Sequence, residues 1–182
     1  MYTKTSIPKT GALAAPVIKS DEITIVDAND VASEPTRAFG NTVATGDLTL
    51  AEGAKGVRIQ VSSHTIDCGY DQDGEVDAKG FKQRVAFDYP GNTPELDNFI
   101  EYYANRGVLI LVKSCETGKT KLYGQKCNPL RLTAEPTENN EASKTHLAFA
   151  QEVAGALLPS VYSGAVPAVA ADPADASDNE SA

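Results

Sequence analysis

Apolar and polar side chains alternate over several short stretches of this chain, and a period of two marks a strand with one buried face. Ile23 and Ile25 alternate with Thr24 and Val26 in a short strand that stops at residues 27–30. Leu48 and Leu50 alternate with Asp47 and Thr49, a turn follows over 52–56, and Val57, Ile59 and Val61 then alternate with Arg58, Gln60 and Ser62. Phe81, Val85, Phe87 and Tyr89 mark a further strand, halted by Pro90 and Gly91. Residues 108–112 are apolar at every position, which suits a central strand covered on both faces. Leu130 with Leu132, and Leu147 with Phe149, predict two closing strands separated by a polar loop over 136–145. The Ser, Pro, Gly and Asn content of 31–46 predicts a loop.

One segment has the other periodicity. Leu96, Phe99, Ile100 and Tyr103 fall at i, i+3, i+4 and i+7, one face of a helix. Thr93 offers an N-cap hydroxyl, Pro94 suits the first helical position, and Glu95 sits at the positive end of the dipole. Arg106 in the last turn and Gly107 at the C′ position predict a helix over 94–106 that packs on the strand at 108–112. Burying its four apolar residues contributes on the order of 6–12 kcal/mol before entropy. The expected fold is therefore mainly β with one α-helix: a β-sandwich or barrel flanked by the helix, formed by a core domain over 21–153.

The ends differ from this middle. Residues 1–20 hold Lys4, Lys9 and Lys19 and no acid; residues 155–182 hold Asp172, Asp175, Asp178 and Glu180 and no base. Both ends lack periodicity and are rich in Ala, Ser, Thr and Pro, so neither buries enough apolar surface alone to offset its ordering entropy. They read as extended arms, 1–20 and 154–182, of opposite charge.

The chain of 182 residues is long enough for one domain with loose ends, and its 41% hydrophobic content supports a core. No apolar run reaches the length of a membrane span, and no leader-like apolar stretch stands near the N-terminus. The formal net charge of −9 argues against a protein that binds nucleic acid by neutralising phosphates. Cys68, Cys115 and Cys127 are odd in number and lack C-x-x-C spacing, so they read as reduced thiols.

Several motifs point to chemistry and fail on their spacing. Gly118-Lys119-Thr120 lacks the earlier glycine of a phosphate-binding loop and reads as a hairpin turn in which Gly118 takes positive φ. Asp71, Asp73, Glu75 and Asp77 form a dense acidic stretch, but its glycine stands at the wrong place for a calcium loop and position twelve is Lys82. It reads as a solvated loop between strands. No G-x-S-x-G occurs, His64 reads as an exposed strand residue, and Glu95, Asp97 and Glu101 lie on the polar side of the helix. There is no tryptophan for a sugar platform. Neither catalysis, a cofactor nor a metal site is expected.

Residues 121–124 (Lys-Leu-Tyr-Gly), 128–132 (Asn-Pro-Leu-Arg-Leu), 146–150 (His-Leu-Ala-Phe-Ala) and 155–164 together form a run that resembles the tail-tube-like and ring (neck and tail barrel) structural proteins of crAss-like and related Bacteroides phages. The resemblance covers about residues 107–164. It implies a virion protein, assembled in the bacterial host cytoplasm, that repeats around an axis as a ring or tube subunit. The implied partners are other copies of itself and adjacent ring, portal or tail proteins, with DNA as passing cargo and no membrane. In such a ring, Asp71, Asp73, Glu75 and Asp77 are candidates for a lumen-facing or inter-ring loop. Lys4, Lys9, Lys19, Asp172, Asp175, Asp178 and Glu180 are candidates for inter-subunit contacts through the arms. The alternative is a monomeric β-sandwich binding module, such as a head decoration or a carbohydrate- or peptide-binding domain.

Overall fold

The computed structural model describes residues 6–7, 16–139 and 143–171. Twelve strands and one α-helix run in the order β1 (Lys19–Asp27), β2 (Val31–Ser33), β3 (Val43–Ala44), β4 (Thr49–Leu50), β5 (Val57–Gln60), β6 (Asp67–Asp73), β7 (Gly80–Pro90), α1 (Pro94–Tyr103), β8 (Gly107–Ser114), β9 (Thr120–Tyr123), β10 (Leu130–Glu138), β11 (Ser143–Gln151) and β12 (Ser160–Tyr162). Ten of the strands form one mixed sheet, and β2 pairs with β4 separately.

The continuous apolar run lies in β8, at the centre of this sheet. β1 pairs along one edge of β8, from Lys19↔Ser114 to Asp27↔Val108. β9 and then β10 share the other edge. The pairing then continues two ways. β9 leads to β12 and β3, while β10 leads to β11, β7 and β6. The second branch folds over the first. Ile23, Ile25, Ile59, Ile110, Val112 and Tyr123 from one layer pack in a single cluster with Val85, Phe87, Leu130, Leu147 and Phe149 from the other. Phe87 and Phe149 stack there with ring centroids 5.8 Å apart. The result is a β-sandwich or barrel-like fold with one flanking helix.

β8 is covered on its other face too. Leu109 and Leu111 pack with Val26, Val31, Leu48, Leu122 and Tyr162 in a second cluster. That two-sided burial is the reason 108–112 carry no polar residue. Leu96 and Tyr103 of the helix are buried in the first cluster, with Phe99 and Ile100 packed against it.

The helix begins as its sequence dictates. The Thr93 hydroxyl accepts the Leu96 N–H at 3.3 Å, and Pro94 follows. It ends at Tyr103 rather than Arg106, with Ala104 at the C-cap. Gly107 is no cap. It opens β8, and a Cβ there would collide with the Pro129 ring, so its glycine reflects the close approach of β8 to the residue that leads into β10. Arg106 turns to Asp27, whose nearly buried carboxylate accepts from Nη1 at 2.9 Å.

Four further expectations change. The loop over 31–46 contains β2 and β3, short strands held by pairing to β4 and β12. The polar stretch 136–145 is largely strand, because β10 and β11 continue as a hairpin past the core into solvent. These two strands lie inside the sheet, between β8 and β7, instead of closing it. His64 lies exposed in a 3-10 turn, Ser63–Thr65, at the corner where the chain passes from β5 in one layer to β6 in the other.

The expected C-terminal arm is corrected over residues 155–170, which pack on their own chain. Gly155 and Phe81 exchange both backbone hydrogen bonds at 2.9 and 2.7 Å, and Gly56 does the same with Ala168 and Ala170 at 2.8 Å each. Between them β12 pairs with β9 and β3. The segment has no periodicity because it is held by backbone bonds and one anchor, Tyr162, rather than by an apolar face. The hairpin at Gly118 agrees with expectation, with φ of 65°.

Candidate interaction surface

Asp71 and Asp73 lie in β6, not in a loop. The antiparallel register sets Asp71 opposite Lys82, Gly69 opposite Arg84 and Asp67 opposite Ala86. Asp67, Asp71 and Asp73 therefore share the outer face of the sheet with the two cations. Arg84 bridges Asp67 and, at 3.2 Å, Asp71; Lys82 reaches Asp73 at 2.6 Å. The Lys82 hydrogen bond and charge, with the Gly74 N–H, hold the Asp73 carboxyl below its ordinary value. These exposed pairs contribute little stability. They do fix the register of an edge strand that has almost no apolar alternation. Glu75 and Asp77 lie in the exposed turn that follows, with Gly74 and Asp77 at positive φ.

The inner face of β6 carries Cys68 and Tyr70. Together with Gly69 they border a cleft of about 260 Å³ whose opposite wall includes Lys121, Tyr123, Pro159 and Val161. Tyr70 packs edge-on against Phe81 and is 46% exposed. Burial pushes the Cys68 thiol up to about 11, and burial also raises Tyr123 beside it. At neutral pH both keep their protons, so this wall supplies neither thiolate nor phenolate. Cys115 and Cys127 are exposed free thiols.

A polar knot ties this end of the sandwich together. The Gln83 side chain accepts the Gly124 N–H at 2.8 Å and donates to the Leu157 carbonyl at 3.1 Å, while the Gln83 N–H goes to Gln151 Oε1 at 2.9 Å. Gln151 Nε2 then donates to the Asn128 carbonyl at 2.7 Å. Both glutamines are buried.

At the far end, Asp88 accepts from Lys144 and meets His146 Nδ1, each at 2.7 Å. The Lys144 hydrogen bond, then that of His146, lowers the Asp88 carboxyl. A lowered folded-state value gives stability that is present above the unfolded value and lost as pH falls through the folded one. Both partners are about half exposed, so screening limits the effect to about 1 kcal/mol or less. Asp88→Asn is expected to flatten the acid side of the stability profile by that amount in urea titrations between about pH 2 and 6. An unchanged profile would remove Asp88 from the acid response.

Lys19 opens β1 opposite Ser114. Lys4, Lys9, Asp172, Asp175, Asp178 and Glu180 lie outside the described residues. Of the acidic candidates, the fold brings Asp71 and Asp73 together on one strand face and leaves Glu75 and Asp77 in the adjoining turn. The sequence reading missed Cys68 and Tyr70 as the inner row of the same strand. The available signal was the spacing of Asp67, Gly69, Asp71 and Asp73 against Lys82 and Arg84 in the next strand. Among the described residues no group of three His, Cys, Asp or Glu is placed to hold a metal ion, and no helix is long and apolar enough to cross a membrane. Comparison with known families, curated proteins and solved structures finds no match for this chain.

Proposed function

We propose that this chain is a phage virion structural protein, a ring or tube subunit of the neck or tail that assembles around a DNA-conducting channel. The observation that carries this reading is the set of apolar side chains that the subunit leaves in solvent ahead of β1. Ile7 is 89% exposed, and Val17 and Ile18 are exposed as well. Val17 and Ile18 stand directly ahead of β1, and an apolar pair left in solvent at the start of the sheet supports contact with another chain. The resemblance over 107–164 supplies the neck or tail assignment.

A ring needs heterologous contacts, in which one patch of each subunit meets a different patch of the next. The exposed N-terminal residues are one such patch, and the acidic strand β6 with its turn is a candidate for the other. The net charge of −9 suits a channel through which DNA slides without adhering, because phosphate binding needs an excess of cations. Within the acidic stretch, Asp71 and Asp73 are offset by Arg84 and Lys82, so Glu75 and Asp77 carry the field toward a lumen or a neighbouring ring. Mass photometry with negative-stain imaging, on the protein alone and with its candidate virion neighbours, is expected to show annular particles. A persistent 19.2 kDa species under both conditions overturns the ring reading in favour of a monomeric binding module.

A further inference from the structure

The open edge of β6 has a definite polarity. Phe81 spends its backbone N–H and carbonyl on Gly155, and the Gln83 N–H goes to Gln151. Odd-numbered residues of β7 therefore point their backbone groups away from β6. The Asp88 N–H, which reaches the Thr65 hydroxyl, confirms that even-numbered residues point toward it. With Asp71 opposite Lys82, the bonds of the β6–β7 ladder fall on Asp67, Gly69, Asp71 and Asp73. The N–H and carbonyl groups of Cys68, Tyr70 and Gln72 face outward along the edge, and among the described residues no backbone partner meets them.

This edge borders the cleft. The layer that ends at β6 stops short of the layer that continues through β9 to β12 and β3. Lys121, Tyr123 and Val161 line the gap. One more strand on β6 would pair with the three outward residues and lay alternate side chains over that gap.

We propose that the edge takes this strand from the N-terminal segment of a second copy, residues 2–7. That stretch is Tyr-Thr-Lys-Thr-Ser-Ile, rich in strand-forming residues and free of proline until Pro8. In an added strand Thr3, Thr5 and Ile7 share one side and Lys4 lies on the other. Ile7 then enters the cleft on the Cys68 and Tyr70 side, and Lys4 meets the outer row of Asp67, Asp71 and Asp73. The charges agree: residues 2–7 contain Lys4 and no acid, whereas β6 and its turn carry Asp67, Asp71, Asp73, Glu75 and Asp77 against Lys79, Lys82 and Arg84, an excess of negative charge. A second copy is taken as the donor because the chain's own Ile7 is 89% exposed and does not line the cleft. The inference rests on the self-association part of the ring reading and not on the ring itself.

The test titrates a peptide of residues 1–10 into the full-length, isotope-labelled protein, up to about 1 mM, the effective concentration between tethered partners. Amide exchange is read by NMR. At a peptide concentration of about ten times Kd, exchange at Cys68, Tyr70 and Gln72 is expected to slow about tenfold, with Gly69 and Asp71 unchanged. Gln72→Pro removes an outward N–H and no ladder bond, so it is expected to abolish the protection while the melting temperature holds. A peptide with Ile7→Asp is expected not to bind. Absence of protection, protection without the alternation, or full binding to the Gln72→Pro protein overturns the inference. Annular particles without peptide protection sink this inference alone; protection without annular particles sinks the ring reading alone.

Discussion

Gln83→Leu is expected to cost about 3–5 kcal/mol, because it leaves the buried Gly124 N–H and the Leu157 carbonyl without partners, each worth about 1–3 kcal/mol when stranded. For a chain of this length that is roughly a 10–15 °C fall in melting temperature. Gln83 stands in the inward row of β7 among Phe81, Val85 and Phe87, and is almost wholly buried. Leucine fits the row by polarity and nearly matches it in volume. A purely hydrophobic account therefore predicts a neutral or stabilising change. Thermal and urea unfolding followed by circular dichroism decides between the two. A Gln83→Leu protein as stable as the parent would show that the knot joining β7, the 124–129 turn and the 153–158 segment contributes nothing net.

The same residue shows where reading the sequence stops. The alternation of Phe81, Val85, Phe87 and Tyr89 identified β7, and a glutamine in the inward row was the visible break in it. Its partners are the backbone of residues distant in sequence, so no local pattern could name them. The helix start was legible because Thr93 and Pro94 act on their immediate neighbours. Its end was not, because Gly107 answers to Pro129. β8 was legible because both of its faces are buried. β6 was not, since an edge strand held by cross-strand ion pairs and ladder bonds needs little apolar alternation. The acidic residues were found, yet their placement on a strand, paired with Lys82 and Arg84, depends on a register that composition does not encode. Sequence also read residues 154–182 as an arm, because a three-residue strand and one tyrosine leave no periodic trace.

Tyr162→Ala is expected to cost about 3–5 kcal/mol, the range for removing a large buried side chain. Tyr162 is 4% exposed in the cluster that covers the outer face of β8. Its hydroxyl accepts the buried Leu48 N–H at 2.9 Å and donates to the Ala165 carbonyl at 2.6 Å. Tyr162→Phe keeps the packing and strands only these groups, so about 1–3 kcal/mol is expected. The ratio separates the anchor's packing from its hydrogen bonds. It also decides whether the segment belongs to the fold. If Tyr162→Ala unfolds at the parent's denaturant midpoint, the C-terminal stretch is an appendage whose removal the sandwich does not register.

The pairing of Lys19 with Ser114 and of Asp27 with Val108 sets a timetable for synthesis. Until the ribosome has made Gly107–Ser114, β1 has no β8 to join, and half of the inner cluster has no opposite wall. Tyr162 emerges later still, so the outer face of β8 stays bare until that residue has been made. Long-range ladders of this kind fold slowly and leave unpaired strands open to wrong partners in the interval. A nascent chain interrupted anywhere before Tyr162 is therefore a substrate for chaperones and proteases, and the lag between translation and closure limits how fast folded chains accumulate.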